Sequence, residues 1–314
     1  MPRDWVGYGD RPPDFEWPGG SRMAVNIVIN YEEGAEPNPL DGDAEVEPLG
    51  ELGRFPTRPG ERQVMIESQY EYGSRVGVWR LMDILDKYEA RATVFASALA
   101  LERNPLATEA MVRRGYDMVG HGYRWISHFT MAEDSERADI RQAVESIRRT
   151  TGQRIAGWFT RGPQTLITRR ILAEEGFLFD SGASNDDLPY FQPVLGRPFL
   201  VVPYTLTSND WRFWQGTLFT ARDFAQYCID EFDVLHAESR RKPRMMSVGL
   251  HARITGRPGR ALALDHFLAH VRDQGDAWVT TSTAIARFWL ERFAPTQTWN
   301  WPETDHAKKS DISS

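Results

Sequence analysis

The chain has 314 residues, 41% of them hydrophobic and 26% charged, with a formal net charge of −7. That balance fits a globular protein and argues against nucleic acid or an anionic membrane as the main partner. The lone cysteine, Cys228, excludes an internal disulfide and a zinc-thiolate site.

Residues 1–20 are acidic and rich in Pro, Gly and aromatics, and read as an irregular arm packed on the surface. They lack the basic start and apolar run of a secretory signal. No stretch approaches the roughly 18 apolar residues of a membrane span, so a cytoplasmic protein is expected. Met23–Asn30 is a strong strand, β-branched and free of breakers, and it runs into Tyr31-Glu32-Glu33-Gly34. Residues 35–64, rich in Pro, Gly and acids, form a long flap that can fold over a site mouth. Apolar residues at helical spacing predict a helix over 74–89 and another over 105–114, with strands at Arg91–Ala96 and Tyr116–Gly120. Beyond them the reading gives helix at Ala132–Thr151, strand at Ile155–Phe159 and helix at Thr168–Glu175. Strands follow at Phe177–Asp180 and Phe199–Pro203, then a long helix at Ala221–Ser239. Strand Met245–His251, helix Ala261–Gln274, strand Trp278–Thr281 and helix Ser282–Phe293 complete the series. Alternation at this spacing predicts an α/β fold with a parallel sheet or barrel in one catalytic domain, 1–295. The tail, 296–314, is polar and reads as disordered.

Polar clusters fall just after five predicted strands: Asn30 to Gly34, His121 to Trp125, Trp158 to Pro163, Asp180-Ser181 and Leu250-His251. In a barrel, strand ends of this kind converge at one mouth. Any single cluster has a plain structural explanation, such as a solvated turn for Glu32-Glu33 or a satisfied core histidine for His251. Five in succession point to a site.

The order of these clusters resembles that of the polysaccharide deacetylases. That family has an aromatic-acid-acid-Gly turn after the first strand, a His-x-x-x-His segment, an Arg-containing turn before Pro, an Asp-bearing strand end and a late Leu-His. Tyr31-Glu32-Glu33-Gly34, His121 to Trp125, Arg161 with Pro163, Asp180 and Leu250-His251 take these places in turn. The stretches NYEEG, YEYGSRVGVWRL, HGYRWI, DDLPY and GLHARITGRP are further similar to the allantoinases of this superfamily described as needing no metal. The resemblance implies a distorted, incomplete (β/α) barrel. It also implies hydrolysis of a non-peptide C–N bond in a small cyclic amide, ureide or imide, by a homo-oligomer. Two turns depart from the allantoinase pattern, Arg161-Gly162-Pro163-Gln164-Thr165 and Asp180 to Asn185, which opens the way to another cyclic substrate. The rival readings are an N-deacetylase of an acetylated sugar and a catalytically inactive small-molecule binding protein.

Metal-dependent relatives use a carboxylate and two His four residues apart, a spacing at which two imidazoles can meet one ion. Here Trp125 takes the second His position. His128 is seven residues from His121, about 10 Å along a helix axis. Irregular backbone could still fold His128 back; otherwise Glu33 and His121 alone are too few ligands for a well-held divalent zinc ion, so no cofactor is expected and zinc is the alternative. Without metal, Glu32 or Glu33 can act as general base, His251 as acid, and Arg161 or Arg124 can polarise the carbonyl. A structural ion pair with Asp180, Asp186 or Asp187 is the alternative for both Arg. Tyr123, Trp125, Trp158 and Tyr190 are candidates for the pocket wall, with Asp187, Asn209 and Asp210 as polar readers of substrate. Glu71 is expected to be buried against Arg75 or Arg80.

Overall fold

The computed structural model describes residues 3–50, 53–213, 216 and 220–295. The predicted polar tail lies outside the described residues. Strand β1 (Met23–Tyr31) is buried along its whole length. This is the signature of a strand covered on both faces, and its Val and Ile residues supply the bulk. Its two internal asparagines are satisfied: Asn26 accepts from Thr93 Oγ1 at 2.8 Å and donates to Ser282 Oγ at 2.9 Å, and Asn30 donates to Tyr204 Oη at 3.1 Å.

A two-stranded ribbon, β2 (Leu49–Gly50) and β3 (Gly53–Arg54), lies in the flap. The remaining strands are β4 (Thr93–Ala96), β5 (Asp117–Gly120), β6 (Gly157–Trp158), β7 (Phe179–Asp180), β8 (Tyr190–Val194), β9 (Arg197–Val201), β10 (Arg244–His251) and β11 (Ala277–Thr280). They join β1 in one sheet of order β10-β1-β4-β5-β6-β7-β9-β8. All its pairs are parallel except β8 with β9. β10 runs the length of β1, with His251 beside Asn30. β11 pairs with the first half of β1 and β4 with the second half. The sheet curls into a half-barrel, as expected of an incomplete (β/α) barrel, and the C-terminal ends of its parallel strands share one mouth.

The helices are α1 (Val64–Tyr72), α2 (Val78–Lys87), α3 (Ala98–Arg103), α4 (Pro105–Arg113), α5 (Glu133–Thr151), α6 (Leu166–Glu174), α7 (Ala221–Ser239), α8 (Pro258–Gln274) and α9 (Ser282–Phe293). None among the described residues is long and apolar enough to cross a membrane. The arm places Phe15 and Trp17 against Trp289 and Phe288, and Trp17 Nε1 donates to the Arg244 carbonyl at 3.0 Å.

Three segments differ from expectation. The helix expected at 74–89 starts earlier, as α1, and reaches α2 through a wider π-turn at Gly73–Gly77. The turn packs closely on its neighbours and needs glycine at both ends: a Cβ on Gly77 would stand 2.0 Å from the Ala252 carbonyl oxygen, and one on Gly73 would stand 2.5 Å from Glu33 Oε1. β8 pairs antiparallel at the sheet edge, where its mixed sequence gives no buried run. The flap is pinned by arginines, with Arg124 bonded to Asp43 and Arg161 to Glu47. Its described residues back the wall of the mouth and are not among those lining the cavity beneath it.

Candidate active site

A cavity of about 490 Å³ opens at the C-terminal ends of the parallel strands. Glu32, His121 and His251 reach it from the ends of β1, β5 and β10. Trp125, Arg161 and Asn209 line it as well. Glu32 is the hub. Its Oε1 lies 3.2 Å from His121 Nε2 and 3.5 Å from His251 Nε2, and its Oε2 lies 2.7 Å from the Arg253 guanidinium. Only 1% of Glu32 is exposed, so solvent contributes little to holding its charge.

The hydrogen bonds fix the imidazoles. The Phe159 carbonyl can only accept, so His121 Nδ1, 2.7 Å away, carries a proton and donates it. The contact from His121 Nε2 to Glu32 is then a hydrogen bond when one further proton is shared between them. His251 Nδ1 lies 2.6 Å from Asp210 Oδ1, which turns Nε2 to Glu32 and the cavity. Asp210 is itself held by the His251 N–H at 2.8 Å and Thr255 Oγ1 at 2.6 Å.

Burial alone would raise the Glu32 carboxyl, but the charges of Arg253 and His251 outweigh it and hold Glu32 well below the usual carboxylate range. Burial pulls the His251 imidazole down, but the charges of Glu32 and Asp210 more than reverse this and push it up to about 9. Glu33 goes the other way from Glu32: burial raises it, and the Glu32 charge adds to the rise against the pull of Arg253. Its carboxylate accepts from the Arg253 N–H at 3.0 Å and pairs with the guanidinium at 3.4 Å. It faces away from the cavity, beneath Gly73.

Several residues expected at the site stand elsewhere. Asp180 is fully buried at the end of β7, bonded to Arg169 and to the Gly182 N–H, and does not line the cavity. Trp158 is a core residue whose Nε1 donates to Thr160 Oγ1 at 3.1 Å. Arg124 grips the flap, Tyr123 points its hydroxyl to Glu102, and Tyr190 donates to Asn185 at 3.0 Å. Asp187 lines a separate groove with Asp186, Asp230 and Glu231. Arg161 pairs with Glu47 at 2.6 Å rather than with any of the three aspartates expected, and its guanidinium lies 3.7 Å over the Trp125 ring. Glu71 is an exposed partner of Arg75, not a buried one. The same helix, α1, instead contributes Tyr70, whose ring lies under Arg253 at 4.5 Å.

Sequence reasoning missed Arg253, two residues beyond His251 inside the quoted GLHARITGRP stretch. Phe159, Gln164 and Gly182, which lie in the strand-end segments picked out from the sequence but were not singled out there, line the cavity, as does Tyr204. The donors do not fit the zinc site of the metal-dependent relatives. Trp125 replaces the second imidazole, and Glu33 is committed to Arg253. His128 turns away to Asp139 at 3.0 Å and Glu136 at 3.5 Å.

Arg253→Met tests the charge cluster. It would leave two carboxylates buried without their cation, costing about 3–5 kcal/mol, the usual scale for breaking a buried ion pair. Denaturant unfolding at neutral pH would show this as a lower midpoint. A midpoint equal to wild type would mean that the two carboxylates do not depend on Arg253.

Comparison with known proteins agrees with the fold and with the family resemblance. The polysaccharide deacetylase family model matches residues 59–177. A Schizosaccharomyces pombe protein described as "Putative polysaccharide deacetylase" is 37% identical over 310 residues, covering 91% of this chain and 96% of its own length. The crystal structure of PuuE allantoinase shares 43% identity with a TM-score of 0.90, covering 94% of this chain and 99% of that one. A probable polysaccharide deacetylase from Pseudomonas aeruginosa PAO1 also shares 43% identity, with a TM-score of 0.89 and coverage of 93% and 99%. The chain belongs to the polysaccharide-deacetylase family of hydrolases.

Proposed function

We propose that the protein opens a small cyclic amide, ureide or imide by metal-independent hydrolysis of a ring C–N bond, acting as one catalytic domain through residue 295. The observation that carries this reading is the placing of a carboxyl and an imidazole 3.5 Å apart in one cavity, Glu32 beside the Arg253 charge that pulls its carboxyl down and His251 between the Glu32 and Asp210 charges that push its imidazole up. Environments that push two titratable groups apart assign the base and the acid. Glu32 takes a proton from water as the water oxygen bonds to the ring carbonyl carbon. Arg161, at the cavity wall, supplies positive charge for the developing oxyanion. His251 then gives its Nε2 proton to the departing ring nitrogen as the C–N bond breaks. His121 and Arg253 position Glu32 and keep it anionic.

Trp125 supports a small flat ring over a sugar chain. It takes the sequence position of a metal-binding imidazole and presents an aromatic wall with Arg161 stacked on its ring. The likeness to PuuE allantoinase points the same way. A second reading, N-deacetylation of an acetylated sugar, is favoured by the names of other relatives, including a Helicobacter pylori peptidoglycan deacetylase that is 25% identical.

The test is a substrate panel with chelator-treated protein: allantoin, hydantoin, succinimide and chito-oligosaccharides. The cyclic-amide reading predicts turnover of at least one ring, unaffected by chelation. Turnover of the oligosaccharide alone, restored by zinc, would contradict it.

The pH profile provides a separate check. His251 must be protonated to act, so kcat/KM falls as pH rises through about 9. Asp210→Asn removes one of the two charges that raise His251. Its alkaline limb therefore moves down by about 1–2 units, toward the ordinary imidazole value. An alkaline limb that stays in place in Asp210→Asn would take the acid role away from His251.

A further inference from the structure

We infer that Gln164 selects the substrate, by reading the cis-amide edge of a ring that carries an N–H beside a second carbonyl; this rests on the cyclic-amide reading above. Gln164 lines the cavity on the loop between β6 and α6. Both its Oε1 and its Nε2 are buried with no hydrogen-bond partner. A buried donor and acceptor left unsatisfied together are rare in a folded protein and mark a place where something else completes them. The other polar side chains expected to read substrate are already engaged. Asn209 donates to Tyr204 Oη at 2.9 Å and accepts from the Trp211 N–H at 3.0 Å. Arg161 bonds to the Trp125 carbonyl and Glu47, both at 2.6 Å, and Asp210 is saturated by His251 and Thr255.

Gly182 provides a resting place from which the Gln164 carboxamide can turn into the cavity. A Cβ on Gly182 would stand 1.9 Å from Gln164 Oε1, so only glycine leaves room for it. Gly182 is itself held by its N–H bond to Asp180, and Asp180 by Arg169. Asp180 therefore acts at one remove, fixing the floor on which Gln164 sits. The sheet order also separates two ends of the cavity. Glu32 and His251 follow β1 and β10 at one side, while Gln164 and Gly182 follow β6 and β7 at the other. A ring whose scissile bond lies at Glu32 presents its far edge to Gln164.

A carboxamide offers an acceptor and a donor side by side. Its complement is an N–H and a C=O side by side, which an amide shows only when cis. Small rings force this geometry, whereas an open-chain secondary amide, such as the acetamido group of a sugar, is trans and points the two groups apart. The substrate class is therefore a cyclic imide or ureide with a second amide edge, and not a simple lactam. Binding turns the carboxamide off Gly182 into the cavity, a change of side-chain rotamer.

The experiment measures kcat/KM of the full chain on succinimide and hydantoin and on their N-methyl counterparts. Wild type should favour the N–H rings by about 10- to 100-fold, the range for hydrogen bonds made inside a binding site. In Gln164→Leu that ratio should fall to about 1, while the thermal midpoint stays the same or rises, because the lost amide had no partner to leave behind. Gln164→Glu keeps the shape and loses the donor, and should also lose most of the discrimination; it covers the case in which Gln164→Leu folds poorly. Rings turned over by wild type with discrimination unchanged in both variants would overturn the Gln164 assignment alone. No turnover of any ring by wild type would overturn both it and the cyclic-amide reading.

Discussion

Arg253 is almost fully buried, with its guanidinium shared between two buried carboxylates, Glu32 and Glu33. Desolvating three ionisable groups together is costly, and the cost is offset only when each finds a partner of opposite charge in good geometry. The partners here come from distant parts of the chain: the acids end β1, and Arg253 lies in the turn after β10, with the Tyr70 ring beneath it. Parallel pairing of β1 with β10, with Asn30 beside His251, brings the two turns together. The wide turn at Gly73–Gly77 allows the backbone to come down on Glu33 and on the Arg253 N–H. Much of the local architecture thus serves to satisfy one cation.

From that cluster the polarity of the cavity follows. One acid of the pair, Glu33, takes the raised position and faces away, while Glu32 stays ionised and faces in. The Glu32 charge in turn raises His251, with Asp210 reinforcing it from the other side of the ring. A negative and a positive group then stand side by side, both buried, where fixed charges act more strongly than in water. In this chain Glu33 is engaged with Arg253 and an indole stands in place of the second imidazole, so the residues that hold a zinc ion in metal-dependent relatives are put to other uses here.

The sequence was most legible where burial is uniform. β1 and β10 are apolar runs covered on both faces, and α7 and α9 carry clear helical periodicity with threonine caps, so their limits were read within a residue. The edge strand β8 and the short α3 lack such patterns and went unread. At the site, strand-end position identified Glu32, His121 and His251 but could not tell which way a side chain turns one or two residues later. Asp180 and Trp158 therefore point into the core, and Arg124 into the flap, despite their placement beside the mouth. Arg253 was missed because its partners lie 220 residues away, and no local spacing signals a pair of that kind. Gln164 was read as part of a strand-end turn that departs from the allantoinase pattern and touches substrate, but not singled out within it; its lack of a partner is visible only in three dimensions.

The central claim is that Glu32, held ionised by Arg253, is the base. Glu32→Gln keeps the size of the side chain and removes its charge and its ability to accept a proton. Measured under saturating substrate on whichever cyclic amide wild type turns over best, its kcat should fall by about 100-fold or more, the usual scale for loss of a general base. A Glu32→Gln enzyme turning over at close to the wild-type rate would contradict the account and move the proton transfer to another group.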